Sequence, residues 1–196
     1  MKKIFLNFKF LFLVILILFI FVLSTIGVET DKFNKFIISK ASETQNISLE
    51  LNTIKFKIDP EKLSLFLETQ NPNINYRNVI IPAKSIKVYI DFLSILKSKP
   101  KIKKTNLVLD ELEIKELNKL SSLIKPSNFK NILNNNIKQG KLISEIDIFL
   151  SDQGRFDDFI ARGEIKNLQV EFSNEINLNR TNLSFFADKN DILIKN

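Results

Sequence analysis

The stretch Leu142-Ile-Ser-Glu-Ile-Asp-Ile-Phe-Leu150 has the residue pattern of a β-strand, and the rest of the fold can be read outward from it. Three more strands are predicted after it, over 159–172, 176–186 and 192–194. The segments between them, at 152–154, 173–174 and 189–191, are of hairpin size. Because a parallel crossover needs a much longer connection, the last third of the chain is predicted to be an antiparallel meander.

Alternation with a period of two also begins at Asn46. Residues 47–51 carry Ile or Leu at every second position, and residues 54–58 do the same with Ile and Phe in the opposite phase. A change of phase moves the apolar side chains to the other face of a sheet, so a bulge or tight turn is predicted at 52–53. Further strands are predicted over 63–67, 75–81, 85–91 and 102–109.

Helical spacing is confined to short segments, at 91–97 after an Asp91 N-cap, at 116–124 and at 127–137. A fourth segment, 29–45, predicts an amphipathic linker helix. It either packs against the sheet or lies along the outer face of a membrane. The expected fold class is α+β and mostly β, with a long twisted antiparallel sheet, a few short helices and an N-terminal transmembrane helix.

The transmembrane helix is predicted from the apolar run 10–26, within a longer stretch of 4–28 that only Asn7 and Lys9 interrupt. Basic residues precede the run and acidic residues follow it, which places the N-terminus in the cytoplasm. The predicted organisation is a basic N-terminus at 1–9, a signal anchor at 10–28, the linker at 29–45 and a periplasmic domain at 46–196. The alternative is a cleaved signal peptide, although the apolar region is longer than such peptides usually have.

Composition excludes several kinds of chemistry. The chain has no Cys and no His, so a disulfide framework, thiol catalysis and His-based hydrolysis are absent. Its four glycines cannot form a glycine-rich phosphate loop. No catalytic residue, cofactor or metal is therefore expected, and the chain is not predicted to be an enzyme. The Asp157-Asp158 pair could indicate acid chemistry or a cation site, but it is interpreted as a solvated turn before a strand, since adjacent strand residues point to opposite faces.

The net charge of +7 raises the question of nucleic-acid binding. The lysines are dispersed and alternate with acidic residues, which argues against it. The densest basic stretch is 97–104, which could contact anionic lipid headgroups or form a solvated loop. The headgroup candidates are Lys99, Lys101, Lys103 and Lys104.

This organisation resembles the N-terminal part of the AsmA-like family, the group that includes AsmA, YhdP and TamB. The resemblance covers nearly the whole chain and rests on loose hydrophobic patterns. It is carried by Lys2-Lys3, the run 10–26, the short helix, Ile54-Lys-Phe-Lys-Ile-Asp-Pro60, Ile86-Lys-Val-Tyr-Ile-Asp-Phe-Leu-Ser-Ile-Leu96, 101–114, Ala161-Arg-Gly-Glu-Ile-Lys-Asn-Leu-Gln-Val170 and Leu183-Ser-Phe-Phe-Ala-Asp188.

The resemblance implies an inner-membrane protein whose sheet curls into an open groove with an apolar inner face. In that family the groove shields phospholipid acyl chains on the way to the outer membrane, so membrane phospholipid is the expected partner. Alternation alone supplies the candidates for the inner face, and a closed β-sandwich core would account for the same residues. They are Ile54, Phe56, Leu63, Leu65, Leu67, Ile86, Val88, Ile90, Leu107, Leu109, Ile146, Ile148, Leu168, Val170, Leu183 and Phe185.

The last apolar triplet, Ile192-Leu-Ile194, has no capping turn after it. We expect that further strands of the same protein follow, or that an envelope partner pairs with this edge. The alternative function is an envelope scaffold that binds a protein partner by strand pairing and handles no lipid. A third alternative is an enzyme that uses only carboxylates and lysines.

Overall fold

The computed structural model describes residues 2–31, 33–42, 47–61, 64–77, 79–91, 94, 101–114, 116, 136–171 and 177–195, with the side chains of 2–8 and 40 left aside. Within these ranges the chain forms two helices and one sheet of twelve strands. Every strand pair is antiparallel. The predicted long antiparallel sheet is therefore present.

Most strands lie where the sequence predicts them, and several are longer than their apolar patterns. The predicted strand 75–81 is wrong, because its residues are divided between two antiparallel strands, Asn73–Tyr76 and Val79–Ile90. The helices are α1 (Lys2–Thr25) and α2 (Asn34–Ser42). The strands of the N-terminal half are β1 (Val28–Glu29), β2 (Ile47–Glu50), β3 (Ile54–Asp59), β4 (Ser64–Gln70), β5 (Asn73–Tyr76), β6 (Val79–Ile90), β7 (Ile102–Leu109) and β8 (Leu112–Glu113). Those of the C-terminal half are β9 (Ile137–Leu150), β10 (Phe156–Glu171), β11 (Asn177–Asp188) and β12 (Ile192–Lys195).

Most neighbours in the sheet are also neighbours in the sequence. The main path runs β1-β3-β4-β6-β7-β9-β10-β11-β12, while β2 and β5 form a side arm on β6 and β8 pairs with β9. The C-terminal strands β9 to β12 form the predicted meander, joined by short hairpin connections. Strand β6 continues through Pro82, although the sequence predicted a break there. Its residues 79–82 pair with β5, and pairing with β7 begins only at Ala83, so the missing N–H of Pro82 does not interrupt a ladder on both sides.

The prediction of a transmembrane helix over 10–28 is corrected by the structure. In the described part of the chain, no helix combines the length and the apolarity needed to cross a bilayer. Helix α1 ends at Thr25, where Gly27 turns the chain with a φ of 76°, and Val28 already belongs to β1. The last turn of α1 also buries Leu23.

Helix α2 is the part of the predicted 29–45 linker that is helical. Its Ile37 is buried in one cluster with strand residues that include Ile54, Leu67 and Val88, and Phe33 and Phe36 pack against that cluster. Of the two positions considered for this helix, packing against the sheet is the one observed. The main core of the molecule therefore lies between α2 and the strands β3, β4 and β6.

The remaining predicted helices fall largely outside the described residues. Of 116–124 only Glu116 is described, and of 127–137 only Asn136 and Ile137, the first residue of β9. Most of 91–97 is also outside, but the predicted cap at Asp91 is seen, because its carboxylate accepts a hydrogen bond from the Ser94 N–H at 3.0 Å.

Candidate functional site: the apolar face of the sheet

One face of the sheet is apolar from strand to strand. Residues directly opposite each other on neighbouring strands point to the same face, so the register identifies its members. One row that crosses six strands of the main path, from β6 to β12, is Ile86, Leu107, Ile146, Ala161, Ala187 and Ile192. We call the side of the sheet that carries this row the apolar face.

The register places most of the predicted groove candidates on the apolar face. Those that it assigns directly are Ile54, Phe56, Leu65, Leu67, Ile86, Val88, Ile90, Leu107, Ile146, Ile148, Leu183 and Phe185. Leu109 follows Leu107 by two positions and shares its face by alternation. Leu168 and Val170 lie beyond a register shift in β10 and form a cluster with Ile114, against which Ile165 and Leu183 pack. Leu63 lies outside the described residues.

Exposure of the apolar face increases along the sheet. Under α2 the face is closed, and Leu67 is only 1% exposed. On β9, β10 and β11 its residues Ile146, Phe159 and Phe185 are half-buried. On β12, at the end of the path, Ile194 is 60% exposed. A sandwich core would bury both halves alike, so the apolar face divides into a covered part on β3, β4 and β6 and a more exposed part on β9 to β12, which we call the open part. Within the open part Leu142 and Ser144 of β9 are still buried, and so is the cluster of Leu168 and Val170 on β10.

A glycine lies in the middle of the open part. Gly163 on β10 is opposite Ser144 on β9 and Phe185 on β11. A Cβ at this position would lie 2.0 Å from the Ile143 carbonyl oxygen and 3.0 Å from the Phe185 ring. Only glycine allows the backbone of β9 and the aromatic ring to approach so closely.

The opposite side of the sheet, which we call the polar face, carries a network of charged groups. Asn106 on β7 is 4% exposed, and its Nδ2 donates hydrogen bonds to Glu145 Oε1 and to Asp147 Oδ1, both at 2.7 Å. Arg162 Nε on β10 donates to Glu145 Oε2 at 3.1 Å. Lys104 Nζ lies 3.3 Å from Asp147 Oδ1. Each carboxylate therefore has a cation and an amide as partners.

The network forms part of an open depression of about 500 Å³ that also includes Ser24 of α1 and Tyr89 of β6. The hydrogen bond from Arg162 holds the pKa of Glu145 below its ordinary value, and the Asn106 amide adds to this effect. A general acid needs a raised pKa, so a Glu145 kept ionised is a structural partner of Arg162 rather than a proton donor. In the ranges that the structure describes, no group of acidic side chains could hold a metal ion.

The headgroup candidates do not converge on the open part of the apolar face. Lys103 is near the start of β7, and its Nζ lies 2.8 Å from Asp91 Oδ1. Lys104 is on the polar face, with its Nζ 4.6 Å from the centre of the Tyr89 ring. Lys101 is exposed next to β7. Lys99 lies outside the described residues.

Comparison with known proteins adds no assignment: no family model, curated protein or solved structure matches the chain. The fold and its two faces define only a class, a mostly β protein built on an amphipathic antiparallel sheet. Sequence reasoning missed the network on the polar face. The acidic alternation at Glu145 and Asp147 was a signal for it, but the pairing of β7 with β9 could not be inferred without the register.

Proposed function

We propose that this chain binds phospholipid acyl chains on the open part of its apolar face and takes part in phospholipid transport in the bacterial cell envelope. The observation that carries the proposal is the apolar row across β9 to β12, which α2 leaves uncovered although it covers β3, β4 and β6. The resemblance to AsmA-like proteins supports the same function and implies transport toward the outer membrane.

The dimensions of the open part suit an acyl chain. The half-buried stretch of β10 from Phe159 to Ile165 has seven residues and is therefore about 23 Å long at 3.3 Å per residue. An acyl chain fills one leaflet, about half of a hydrocarbon core of roughly 30 Å. Each buried methylene contributes about 0.8 kcal/mol, so even partial coverage of a two-chain lipid gives several kcal/mol. The function requires no catalytic group.

The test compares two adjacent phenylalanines on β11. Phe185 lies on the apolar face over Gly163, and Phe186 lies on the polar face opposite Arg162 and is 41% exposed. The full chain is produced in a bacterial host, and bound phospholipid is counted by native mass spectrometry and by lipid extraction. We expect Phe185→Ser to lower the lipid content and Phe186→Ser to leave it unchanged.

The two variants remove the same side chain, so a general loss of hydrophobicity cannot explain a difference between them. Circular dichroism and the urea midpoint of each variant show whether the sheet is intact. A wild-type protein without lipid, or an equal loss of lipid in both variants, would overturn the proposal.

The second candidate function is the scaffold that binds a protein partner and no lipid. It is favoured by the edge strand β12, where Ile192, Leu193 and Ile194 are all more than half exposed. A lipid-free chain that forms a complex through β12 would support this candidate instead.

A further inference from the structure

The outer edge of β12 is the end of the main path of the sheet, and in the described residues no strand lies beyond it. An open edge of this kind can accept another strand through its unpaired backbone groups. The residues of the edge, Asp191-Ile-Leu-Ile-Lys195, are exposed throughout. The sequence of these five residues indicates which strand can pair with this edge.

The segment 191–195 complements itself when it is read in the reverse direction. In an antiparallel pair of two copies centred on Leu193, Ile192 is opposite Ile194 of the other copy, and Leu193 is opposite Leu193. Asp191 is opposite Lys195, and the same ion pair occurs twice because of the two-fold symmetry. A register shifted by two residues in either direction places Lys195 or Asp191 opposite Leu193. Both ion pairs are then lost. Opposite charges and apolar pairs stabilise cross-strand contacts, so the centred register is the favoured one.

The backbone of the hairpin is compatible with this register. The Asp188 N–H donates to the Asp191 carbonyl oxygen at 3.0 Å, so Asp191 directs its carbonyl toward β11. The backbone N–H and C=O groups of successive residues in an antiparallel strand point alternately to its two sides. Those of Leu193 therefore point toward β11, and those of Ile192 and Ile194 point toward the open edge. The centred register places Ile192 opposite Ile194 twice, so all four of these outward groups of each copy find partners.

We infer that β12 is the docking surface for a second copy of this chain, joined antiparallel about a two-fold axis at Leu193. A two-fold axis perpendicular to the sheet keeps the apolar faces of both copies on the same side. The ion pairs and the Leu193 pair lie on the polar face, because β12 alternates in the same way as β11. The inference does not depend on lipid binding.

Charge exchange tests the register. The oligomeric state of the full chain is measured by light scattering and sedimentation in a neutral detergent, because α1 exposes apolar side chains. In Asp191→Lys and in Lys195→Asp, each homodimer places like charges opposite each other twice, and we expect its dissociation constant to rise about tenfold. A mixture of the two variants pairs Lys with Asp at both positions and should recover the wild-type affinity as a heterodimer. The double variant D191K/K195D should recover it as a homodimer.

Cross-linking tests the geometry independently, since the chain has no cysteine of its own. Leu193→Cys places two thiols opposite each other at the axis, where the Cα atoms of a non-hydrogen-bonded pair are about 4.5 Å apart and a disulfide can form. Ile194→Cys is the matched control, because its two copies would be about 8 Å apart, beyond the roughly 7 Å limit for a disulfide. We expect a covalent dimer from Leu193→Cys and none from Ile194→Cys. A monomeric wild type, unchanged charge variants, a mixture without recovery or equal cross-linking of both cysteine variants would each overturn the inference.

Discussion

Gly163→Ala tests whether the close approach of β9 and β10 is a feature on which the sheet depends. The new Cβ would lie 2.0 Å from the Ile143 carbonyl oxygen, whereas non-bonded heavy atoms prefer about 3.5 Å. The Phe185 ring, at 3.0 Å, can rotate away, but the carbonyl belongs to the backbone of the neighbouring strand and can move only with that strand. Strands β9 and β10 must therefore separate locally.

The size of the effect follows from three contributions. Overpacking of a close contact costs about 1–3 kcal/mol. Weakening of about two ladder hydrogen bonds costs roughly 1–2 kcal/mol more. Alanine offsets about 0.5–1 kcal/mol, because glycine loses more backbone entropy on folding. We expect the free energy of unfolding to fall by about 2–3 kcal/mol.

Urea denaturation followed by far-ultraviolet circular dichroism measures this change. The matched control is Ser184→Ala on β11, an exposed position that is next to Phe185 and points to the polar face, where the expected change is within about 0.5 kcal/mol. If Gly163→Ala is as stable as Ser184→Ala, the strands do not approach as the structure describes, and the reasoning is refuted.

Two further predictions concern the polar face. Asn106→Leu removes two hydrogen bonds to carboxylates and should lower the free energy of unfolding by about 2–4 kcal/mol, measured in urea at pH 7; a loss below about 0.5 kcal/mol would contradict the network. The pKa of Glu145 is lowered in the folded state by Arg162, so its contribution to stability is complete above the unfolded pKa and is lost as the pH falls through the folded pKa. Urea midpoints across the acidic range should therefore decrease on acidification, and Arg162→Met should show a smaller decrease; an equal decrease in both proteins would exclude the Arg162 contact as the cause.

The strands with regular alternation were predictable from the sequence. The prediction for β7, 102–109, agrees with its observed bounds, and those for β11 and β12 differ by at most two residues. The predicted strand break at Pro82 was wrong, because β6 continues through this residue. The sequence alone does not show that β6 has a partner on only one side there. The apolar run 10–26 ends within one residue of α1, but the anchor predicted over 10–28 extends too far, because Gly27 takes a positive φ and Val28 pairs with Phe56 in β1.

For the candidate site, the sequence showed which residues lie on the apolar face. It could not show which of them α2 covers. Leu67 and Phe185 occupy equivalent places in their patterns, yet one lies in the core with α2 and the other lies where α2 does not reach. The difference depends on which strands a nine-residue helix can cover, and this is a property of the tertiary structure. The sequence likewise gave no sign that Asn106 lies between two carboxylates, because this depends on the register of β7 with β9.

The order of strands along the sheet determines how a disturbance spreads through the molecule. In the main path each inner strand has one neighbour on either side, so its stability depends mainly on its own two ladders, much as in a chain of repeats. At one end, α2 joins β3, β4 and β6 into a single cooperative unit. At the other end β12 is held by one four-residue ladder, and opening can begin there and proceed inward through β11 without disturbing the core. The molecule thus combines a fixed end with an end that can rearrange at low cost.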